Sequence, residues 1–407
     1  MTTILIPEIS DTGHHPSFLR HVLESVDQED AHILLAGRPN LVSHPELDSV
    51  RHRFTPVEVQ LSKSEEARLE DFSRIGLVRR QFCVREIYAR VWRNLTLSYQ
   101  IDMVVVPFVD DCVYAFAAVG APFRQTPWVG VSMRTRFHFP EMGITSDRNS
   151  GSIVGGVVFR RVLRSPTLKV LLTNDPTLMH YARARNEKEF SKVQYLPDTC
   201  ESLVPLDKEE ARSSLEIPAD CKVILVYGLL SERKGVFNLL QAVAHPDCPT
   251  NIHVVLAGSQ DASVERFLNS PAVASLISSH RLHLVAGYLP TSVVSQLVYA
   301  SDAMWVGYIG FYTMSGVLVL ASRHGLPSIT SEQGIVGYLS RLHRCGIPVD
   351  PRSQDSVLTA LKRVSRGDPD LDAVAENASR VFSTHSQAEF ARVFRAWVRA
   401  AGSELST

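Results

Sequence analysis

Residues 303–330 have the features of a site for an anionic ligand. They comprise a short apolar run, a loop with glycines and a compact apolar helix, and Thr313 and Ser315 are both suitable helix N-caps. At the start of such a helix the amides of Met314, Ser315 and Gly316 would lack partners, and the helix dipole favours negative charge there. The sequence therefore predicts a phosphate cradle, with an ordinary strand-to-helix connection as the alternative.

Two adjacent cations could meet the same anion from another loop. Arg233 and Lys234 lie between an apolar run that ends at Gly228 and an amphipathic helix. A cation in this position can contact a phosphate in front of a sheet. A further loop contains Gly287 and Tyr288, and the tyrosine could stack on a base or simply pack against its neighbours.

A loop near the start of the sequence combines a glycine with two histidines. Gly13, His14 and His15 precede a helix that we expect to begin near Pro16, with its amides pointing into the same loop. One histidine is predicted to hydrogen-bond a substrate hydroxyl or phosphate, and a polar loop at a helix start is the alternative. Adjacent histidines point apart and no third ligand has suitable spacing, so no metal site is predicted.

Charged residues also follow two apolar runs in the first half of the sequence. Asp110 and Asp111 could accept sugar-like hydroxyls or a proton, or could cap a helix. Arg134, Arg136 and His138 alternate with apolar residues and would share one face if the chain is extended there. That face could hold an anionic acceptor, or it could be a solvated edge.

Arginines stand beside apolar residues in two helix-length segments. One segment contains Arg160, Arg161 and Arg164 among valines, a phenylalanine and a leucine. It is either an amphipathic helix that lies on a membrane or a lipid acceptor, or an exposed helix with a core-facing stripe. The arginines within residues 79–93 leave the same two alternatives.

Composition restricts the class of protein. The 407 residues are 45% apolar and 21% charged, which is ordinary for a globular enzyme of two or three domains. A net charge of −1 gives no overall basic field for nucleic acid. The six cysteines show no metal-ligand spacing, and the sequence has neither a signal peptide pattern nor a long apolar run. We therefore expect a cytoplasmic protein.

Strand-like runs alternate with helix-length segments, which is typical of parallel sheets covered by helices. The first set of runs comprises residues 4–7, 31–36, 103–108, 128–132 and 169–173. The second set comprises residues 222–228, 252–258, 282–286, 303–308 and 328–330. Ligands of such sheets bind at the carboxyl ends of the strands, so two domains that face each other would form a cleft lined by the loops described above.

The boundary between these sets is predicted from prolines and polar residues. Domain 1 is expected to span 1–196, a linker 197–221, and domain 2 222–375. The sequence contains neither a Walker A motif nor G-x-G-x-x-G, so a P-loop kinase or a dinucleotide dehydrogenase is poorly supported.

With these residues assembled, the chain resembles the two-domain glycosyltransferases of the GT-B fold, in particular the large retaining family that includes glycogen synthases and bacterial mannosyltransferases. The similarity is strongest over residues 196–350. It is carried by YGLLSERKGVFNLLQAV, VVLAGSQ, VAGYLP, LVYASDA and HGLPSITSEQG. Residues 376–407 resemble the C-terminal helix of the family, which typically crosses back to the first domain.

The resemblance implies an α/β protein with two Rossmann-like, doubly wound parallel-sheet domains that face a central cleft. By position, Lys234 would hold the donor pyrophosphate. The residues predicted to bind the donor are Gly13, His14, Gly228, Arg233, Lys234, Tyr288, Thr313, Met314, Ser315 and Gly316. Those predicted to bind the acceptor are Asp111, Arg134 and His138, and the predicted catalytic residues are Asp110 and Lys234.

The sequence departs from the family pattern at several positions. Family members usually carry two glutamates eight positions apart, where this sequence has Tyr312 and Leu320. The arginine five residues before the loop lysine is replaced by Leu229, and the histidine usual after the fourth N-terminal strand is absent. The chain is thus an atypical member that lacks the paired glutamates.

The first functional hypothesis is a metal-independent glycosyltransferase that moves a sugar from a nucleotide diphosphate to a glycan, a lipid-linked or a small-molecule acceptor. Retention of configuration is favoured over inversion. No cofactor is expected beyond the nucleotide sugar, and no nucleic acid partner, whereas peripheral contact with the inner membrane face stays open. The alternatives are a degenerate scaffold that regulates an active transferase, and a nucleotide-sugar epimerase or hydrolase.

Overall fold

The chain forms two α/β units in a computed structural model that describes residues 2–26, 31–147 and 152–403. The first unit consists of Met1–Met142, Asn149–Pro197 and Gln387–Thr407. The second consists of Gly143–Arg148 and Asp198–Ser386. Within the described ranges, we find no helix that is long and apolar enough to cross a membrane.

The described part of the first unit contains seven strands in one parallel sheet, with the order β3-β2-β1-β4-β5-β6-β7 once the strands are numbered along the chain. They are β1 (Thr2–Pro7), β2 (Ala31–Gly37), β3 (Thr55–Glu58), β4 (Met103–Val106), β5 (Trp128–Val131), β6 (Leu168–Thr173) and β7 (Val193–Tyr195). The central strands are continuous apolar runs because helices cover both faces of the sheet.

Helices cover this sheet on both faces. They are α1 (His15–Ser25), α2 (Pro39–Val42), α3 (Lys63–Leu69), α4 (Arg74–Leu95), α5 (Val113–Val119), α6 (Phe139–Met142), α7 (Ser152–Leu163) and α8 (Pro176–Arg185). Helices α4, α5, α7 and α8 share one hydrophobic core, whereas α1 packs into the core on the other face.

The sheet of the second unit has the order β10-β9-β8-β11-β12-β13 among the described residues, again all parallel. Its strands are β8 (Lys222–Tyr227), β9 (Ile252–Gly258), β10 (Leu282–Ala286), β11 (Ala303–Val306), β12 (Ser328–Ser331) and β13 (Ile347–Val349). Its helices are α9 (Lys208–Ser214), α10 (Val236–Ala244), α11 (Ala262–Leu268), α12 (Pro271–Ser278), α13 (Thr291–Ala300), α14 (Gly316–Arg323), α15 (Gly334–His343), α16 (Gln354–Ser365) and α17 (Asp370–Val381).

The predicted α/β class with two doubly wound parallel sheets is confirmed. Three strands that the sequence did not predict, β3, β7 and β13, are all at sheet edges. They are three or four residues long, and β3 and β13 contain Pro56 and Pro348. Proline is tolerated in an edge strand because one side of the strand needs no ladder hydrogen bond.

The last helix, α18 (Gln387–Ser403), packs in the first unit against α1. Phe390 and Phe394 are fully buried in the core there, and the Gln387 side chain donates to Glu24 at 2.7 Å. The structure thus changes the expected limits of the C-terminal segment, because α17 stays with the second unit. Sequence alone placed this crossing at residue 376.

The segment predicted as a linker, 197–221, lies almost entirely in the second unit. Helix α9 packs on α13, and the buried Arg212 donates to the carbonyl oxygens of Ala300 and Ala219 and to the Asp302 carboxylate. These bonds fix the segment to the domain, although its prolines and charges suggested an exposed connector.

Candidate functional site

The helix at the centre of the sequence prediction, α14, begins at Gly316 with Ser315 as its N-cap. The Ser315 hydroxyl accepts from the Leu318 amide at 3.3 Å and donates to the Tyr308 hydroxyl at 3.2 Å. Gly316 is exposed, and no hydrogen bond to another described residue accounts for the amides of Met314 and Gly316. The helix N-terminus therefore presents open donors and the positive end of the dipole.

Lys234 is the buried cation of this region, with 8% of its surface exposed. Its ammonium donates to the carbonyl oxygen of Tyr227 and lies 5.6 Å from the centre of the Tyr308 ring. Burial, and then the charge of Arg233, lower the pKa of Lys234 to about 8. Within the described part of the chain, no carboxylate forms an ion pair with Lys234 or Arg233. An anionic ligand would supply the missing negative charge.

Hydrogen bonds join the lysine loop to the loop that precedes α14. The indole of Trp305 donates to the Lys234 carbonyl oxygen at 2.8 Å, and the Ile309 amide donates to that of Arg233, also at 2.8 Å. The Arg233 guanidinium lies 5.0 Å from the centre of the Phe311 ring. The pairing of β8 with β11 places the two loops side by side at the carboxyl edge of the sheet. The structure therefore brings together the cations and the helix amides that the sequence predicted separately.

Two glycines, Gly228 and Gly258, allow the backbone to lie in close contact with itself and with the Lys234 ammonium. Gly228 and Gly258 have φ values of +97° and +128°. A Cβ atom at Gly258 would lie 2.1 Å from the Gly228 carbonyl oxygen, and one at Gly228 would lie 2.9 Å from the Lys234 ammonium. Larger residues at either position would displace the loop or the ammonium.

The loop proposed for the base follows β10, where Gly287 has a φ of +98° and Tyr288 is 83% exposed. Burial, then Glu201 and Tyr288, raise the pKa of Tyr227 at the end of β8 to about 12. Tyr288 thus lies close enough to affect the residue that holds Lys234. Sequence reasoning missed Tyr227 and Tyr308, although both stand at strand ends, where such contacts are expected.

The positions of the two expected glutamates hold side chains of a different kind. The Tyr312 hydroxyl accepts from the Asp147 amide at 3.2 Å, and its hydrogen bond to the Asp147 carboxyl lowers the pKa of that group. Arg352 pairs with the same carboxylate at 2.9 Å. Leu320 is buried. Neither Tyr312 nor Leu320 offers the carboxylate that would accept from sugar and ribose hydroxyls.

In the first unit, the loop after β1 contains Gly13, with a φ of +65°, and His14, the residue before α1. The rings of His14 and His15 lie 5.3 and 3.8 Å from the Phe108 ring. Sequence reasoning missed Glu8, which is buried beside them.

One Glu8 carboxylate oxygen accepts from the amides of Ile9 and Ser10 and lies 3.4 Å from His15 Nδ1. Its other oxygen, and His15 Nδ1, have no hydrogen-bond partner among the described residues. This buried acid and histidine are the polar groups that a ligand could still satisfy in this loop.

Asp110 and Asp111 are engaged with the loop after β5. The Asp110 carboxylate accepts from the Ser132 hydroxyl and from the amides of Met133 and Arg134, and burial raises its pKa. Asp111 pairs with Arg134 at 2.7 Å. These contacts favour a role in shaping the loop after β5 rather than the helix cap that the sequence left open, because the N-cap of α5 is Cys112.

His138 is fully buried, with Nε2 2.9 Å from the Thr177 hydroxyl and 3.1 Å from the Asp175 carboxylate. The sequence predicted that Arg134, Arg136 and His138 would share one face of an extended segment. Strand β5 ends at Val131, however, and the described residues 132–138 do not continue it. Arg136 and Arg134 are exposed whereas His138 points into the core. The structure therefore separates His138 from the predicted acceptor residue Arg134, which stays paired with Asp111.

Residues 207–381 match the family described as glycosyl transferases group 1. The matched stretch contains both the Lys234 loop and α14. Comparison of the sequence with curated proteins gives no match.

Solved structures show that the whole chain has the GT-B fold. Sucrose-phosphate synthase from Thermosynechococcus elongatus has a TM-score of 0.70 at 17% identity, over 98% of this chain and 99% of that one. HepE from Anabaena, in complex with UDP, has a TM-score of 0.67 at 14% identity, over 98% and 100%. WaaG, a glycosyltransferase involved in lipopolysaccharide biosynthesis, has a TM-score of 0.61 at 17% identity, over 98% of each chain.

Proposed function

We propose that the chain transfers a sugar from a nucleoside diphosphate donor to an acceptor hydroxyl without a metal ion. Retention of the anomeric configuration is the expected outcome, on the resemblance to the retaining family. Glycan, lipid-linked and small-molecule acceptors all fit this proposal. We place the reaction in the cytoplasm, where nucleotide sugars are the natural donors for such a domain.

The buried ammonium of Lys234 is the single observation that carries the proposal. It lies without a carboxylate partner in the described structure, beside Arg233 and linked through Tyr308 to the N-terminus of α14. A diphosphate leaving group gains negative charge as the bond to the sugar breaks. Fixed cations and amides in a dry site stabilise that charge strongly, which is the task a metal ion would otherwise perform.

Uridine nucleotides are the first donors to test. HepE, which shares this fold, is described in complexes with UDP and with UDP-glucose. We propose that Tyr288 stacks on the base, since its ring is exposed beside the end of β8. Gly228 and Thr313 then border the phosphate site.

We propose that the first unit binds the acceptor. In this proposal Asp111 and Arg134 contact it directly, and the loop of Gly13, His14 and His15 supplies polar contacts, although the resemblance assigned Gly13 and His14 to the donor. Asp110 would hold the loop in place rather than take a proton, because backbone and hydroxyl donors already occupy its carboxylate.

Calorimetric titration of the full chain with UDP, GDP, ADP and TDP tests the donor site first. We expect one of these to bind with a micromolar Kd, and the lack of binding by all four would contradict the proposal. Turnover of the matching nucleotide sugar with added acceptor then tests transfer. The anomeric signal of the product in proton NMR gives the stereochemical outcome.

Tyr312 and Leu320 favour a second candidate, a scaffold that has lost catalysis and regulates an active transferase. The tyrosine hydroxyl is bonded to Asp147 and the leucine is buried, so neither replaces the missing glutamates. A chain that binds nucleotide but turns over no donor would support this candidate. Donor turnover without any acceptor would instead indicate a hydrolase or an epimerase.

A further inference from the structure

Large apolar side chains are exposed together at the N-terminal ends of α4 and α7 in the first unit. Their exposed fractions range from 46% for Val78 to 83% for Ile153. We refer to this group as the apolar edge. It consists of Phe72, Ile75, Val78, Ile153, Val154 and Val157.

Topology places both helix ends at one edge of the sheet. Helices α4, α5 and α7 connect parallel strands on the same face, so their N-terminal ends all lie at the carboxyl edge of the strands. Helix α5 packs against both of the others, and the Gln81 side chain of α4 accepts from the Tyr114 amide at the start of α5 at 2.7 Å. Tyr114 is itself partly exposed between the two groups.

The side chains of the apolar edge lie on the outer side of α4 and α7, and each of these helices also has an apolar side that faces the core. Helix α4 buries Ile87 in the core, and Val78 lies nine residues earlier, which is half a turn away around the helix axis. Helix α7 buries Phe159, and Val157 lies about 200° from it by the same geometry. A helix that only covers a sheet would carry polar residues on these outer positions. Large apolar side chains exposed on two helices that pack on the same third helix indicate an interaction surface.

Arginines outnumber acidic residues around the apolar edge, although Asp71 precedes Phe72 and its charge interacts with that of Arg79. Residues 72–80, 133–138 and 153–164 contain three, two and three arginines and no aspartate or glutamate, although the whole chain carries a net charge of −1. Arg160 and Arg164 pair with Glu187 and Glu189, whereas Arg79 and Arg161 are exposed. The surface thus combines apolar side chains with bordering cations.

We propose that the apolar edge binds the surface of a bilayer that contains anionic lipids. Its apolar side chains would enter the boundary between headgroups and acyl chains, and Arg79 and Arg161 would meet lipid phosphates. Basic side chains near such a surface strengthen binding, and this contribution falls as salt is added. The inference holds whether or not the chain transfers a sugar.

Sedimentation of the full chain with vesicles tests the proposal. Binding is expected to phosphatidylcholine vesicles that contain phosphatidylglycerol, and to be much weaker to phosphatidylcholine alone. The double variant Ile153→Ser/Val157→Ser should lower the partition coefficient at least about tenfold, because each side chain loses apolar burial. Arg161→Glu should lower it several-fold at low salt and have little effect at high salt.

Control positions lie at the C-terminal end of α4, away from the apolar edge. Leu97 is 86% exposed just beyond the C-terminal end of α4, and Arg93 is exposed near it. Leu97→Ser and Arg93→Glu should leave vesicle binding unchanged. Equal binding to both lipid compositions, or wild-type binding by Ile153→Ser/Val157→Ser, would overturn the proposal. A dimer in solution that the double variant dissociates, without vesicle binding by either protein, would assign the surface to a second copy instead.

Discussion

The strand-end loops of the two units handle charge in different ways. In the first unit, Asp110 accepts from the loop after β5, and Asp175 is buried against His138 and caps α8. In the second unit, Lys234 is buried and Arg233 is exposed beside open helix amides, and no described carboxylate pairs with either cation. The first arrangement pairs each carboxylate with donors or cations of the folded chain, although His138 Nδ1 lacks a hydrogen-bond partner in the described residues, whereas the second lacks an anion.

This difference separates charges that stabilise the fold from charges kept for a ligand. A buried charge without a partner costs free energy of folding, so an unpaired cation persists where function requires it. Several buried polar atoms of the first unit, among them atoms of Glu8, His15 and His138, also lack hydrogen-bond partners in the described residues. We therefore expect substitutions of paired groups to affect stability, and substitutions around Lys234 to affect nucleotide binding.

The largest effect is expected from Asp175→Ala in the first unit. The carboxylate accepts from the amides of Thr177 and Leu178 and lies 3.1 Å from the His138 ring, so its removal leaves several buried donors unsatisfied. Loss of one partner of a buried pair costs about 3–5 kcal/mol of the free energy of unfolding. Urea denaturation measures this loss, and the affinity of the folded protein for UDP should not change.

The exposed pair in the same unit is the control for that variant. Asp111→Ala breaks the contact with Arg134, whose side chain is half exposed, and should cost under about 1 kcal/mol. Equal destabilisation by the two variants would break the comparison.

Lys234→Met should instead weaken UDP binding without lowering the stability of the fold. Removal of a charge-assisted contact to the diphosphate should raise the Kd for UDP by about 30- to 100-fold, or 2–3 kcal/mol. The melting temperature should stay the same or rise, because the variant no longer buries an unpaired ammonium. Lys222→Met is the control, since Lys222 is half exposed and pairs with Asp302. Wild-type affinity in Lys234→Met would show that the ligand lies elsewhere.

The pH dependence of nucleotide affinity also tests whether Lys234 contacts the diphosphate. The pKa of Lys234 is lowered to about 8 in the free protein, and a bound diphosphate should raise it. UDP should therefore bind fully below pH 8, and its Kd should rise about tenfold per pH unit above that value. Titrations between pH 7 and about 9.5 measure this slope, because phosphate groups with a pKa near about 6 are ionised throughout. In Lys234→Met the slope should disappear.

The ligand-free protein should respond to pH in the opposite direction. The unfolded chain binds the Lys234 proton up to its ordinary pKa of 10.5, whereas the folded chain loses it near 8. The contribution of Lys234 to the free energy of unfolding should therefore rise with pH between about pH 8 and 10.5. Denaturation at several pH values, compared with Lys234→Met, isolates the contribution.

The smallest effects are expected from matched glycine substitutions in the two units. Gly228→Ala puts a methyl group 2.9 Å from the Lys234 ammonium, so both stability and UDP affinity should fall, the latter about tenfold. Gly13→Ala meets no atom within 4 Å and carries only the strain of its positive φ, about 1 kcal/mol. A drop in UDP affinity with Gly13→Ala would extend the donor site to the first unit.

Much of the proposed phosphate site could be predicted from the sequence because its features are local. The N-cap at Ser315, the helix end before Gly325 and the cation pair at Arg233 and Lys234 all depend on residues close in the chain. The burial of Lys234 could not be predicted, because it depends on Tyr308 and Trp305, some 70 residues away in sequence.

The sequence by itself determined the two parallel sheets, since buried strands read as apolar runs separated by amphipathic helices, and it determined where each strand-end loop falls. Tertiary structure alone decided which charges are neutralised. His138 and Lys234 both follow apolar segments, yet one is enclosed with Asp175 and the other has no carboxylate partner in the described residues. The reason is that electrostatic pairing depends on distance in space and on desolvation, and neither is encoded in the spacing of residues along the chain.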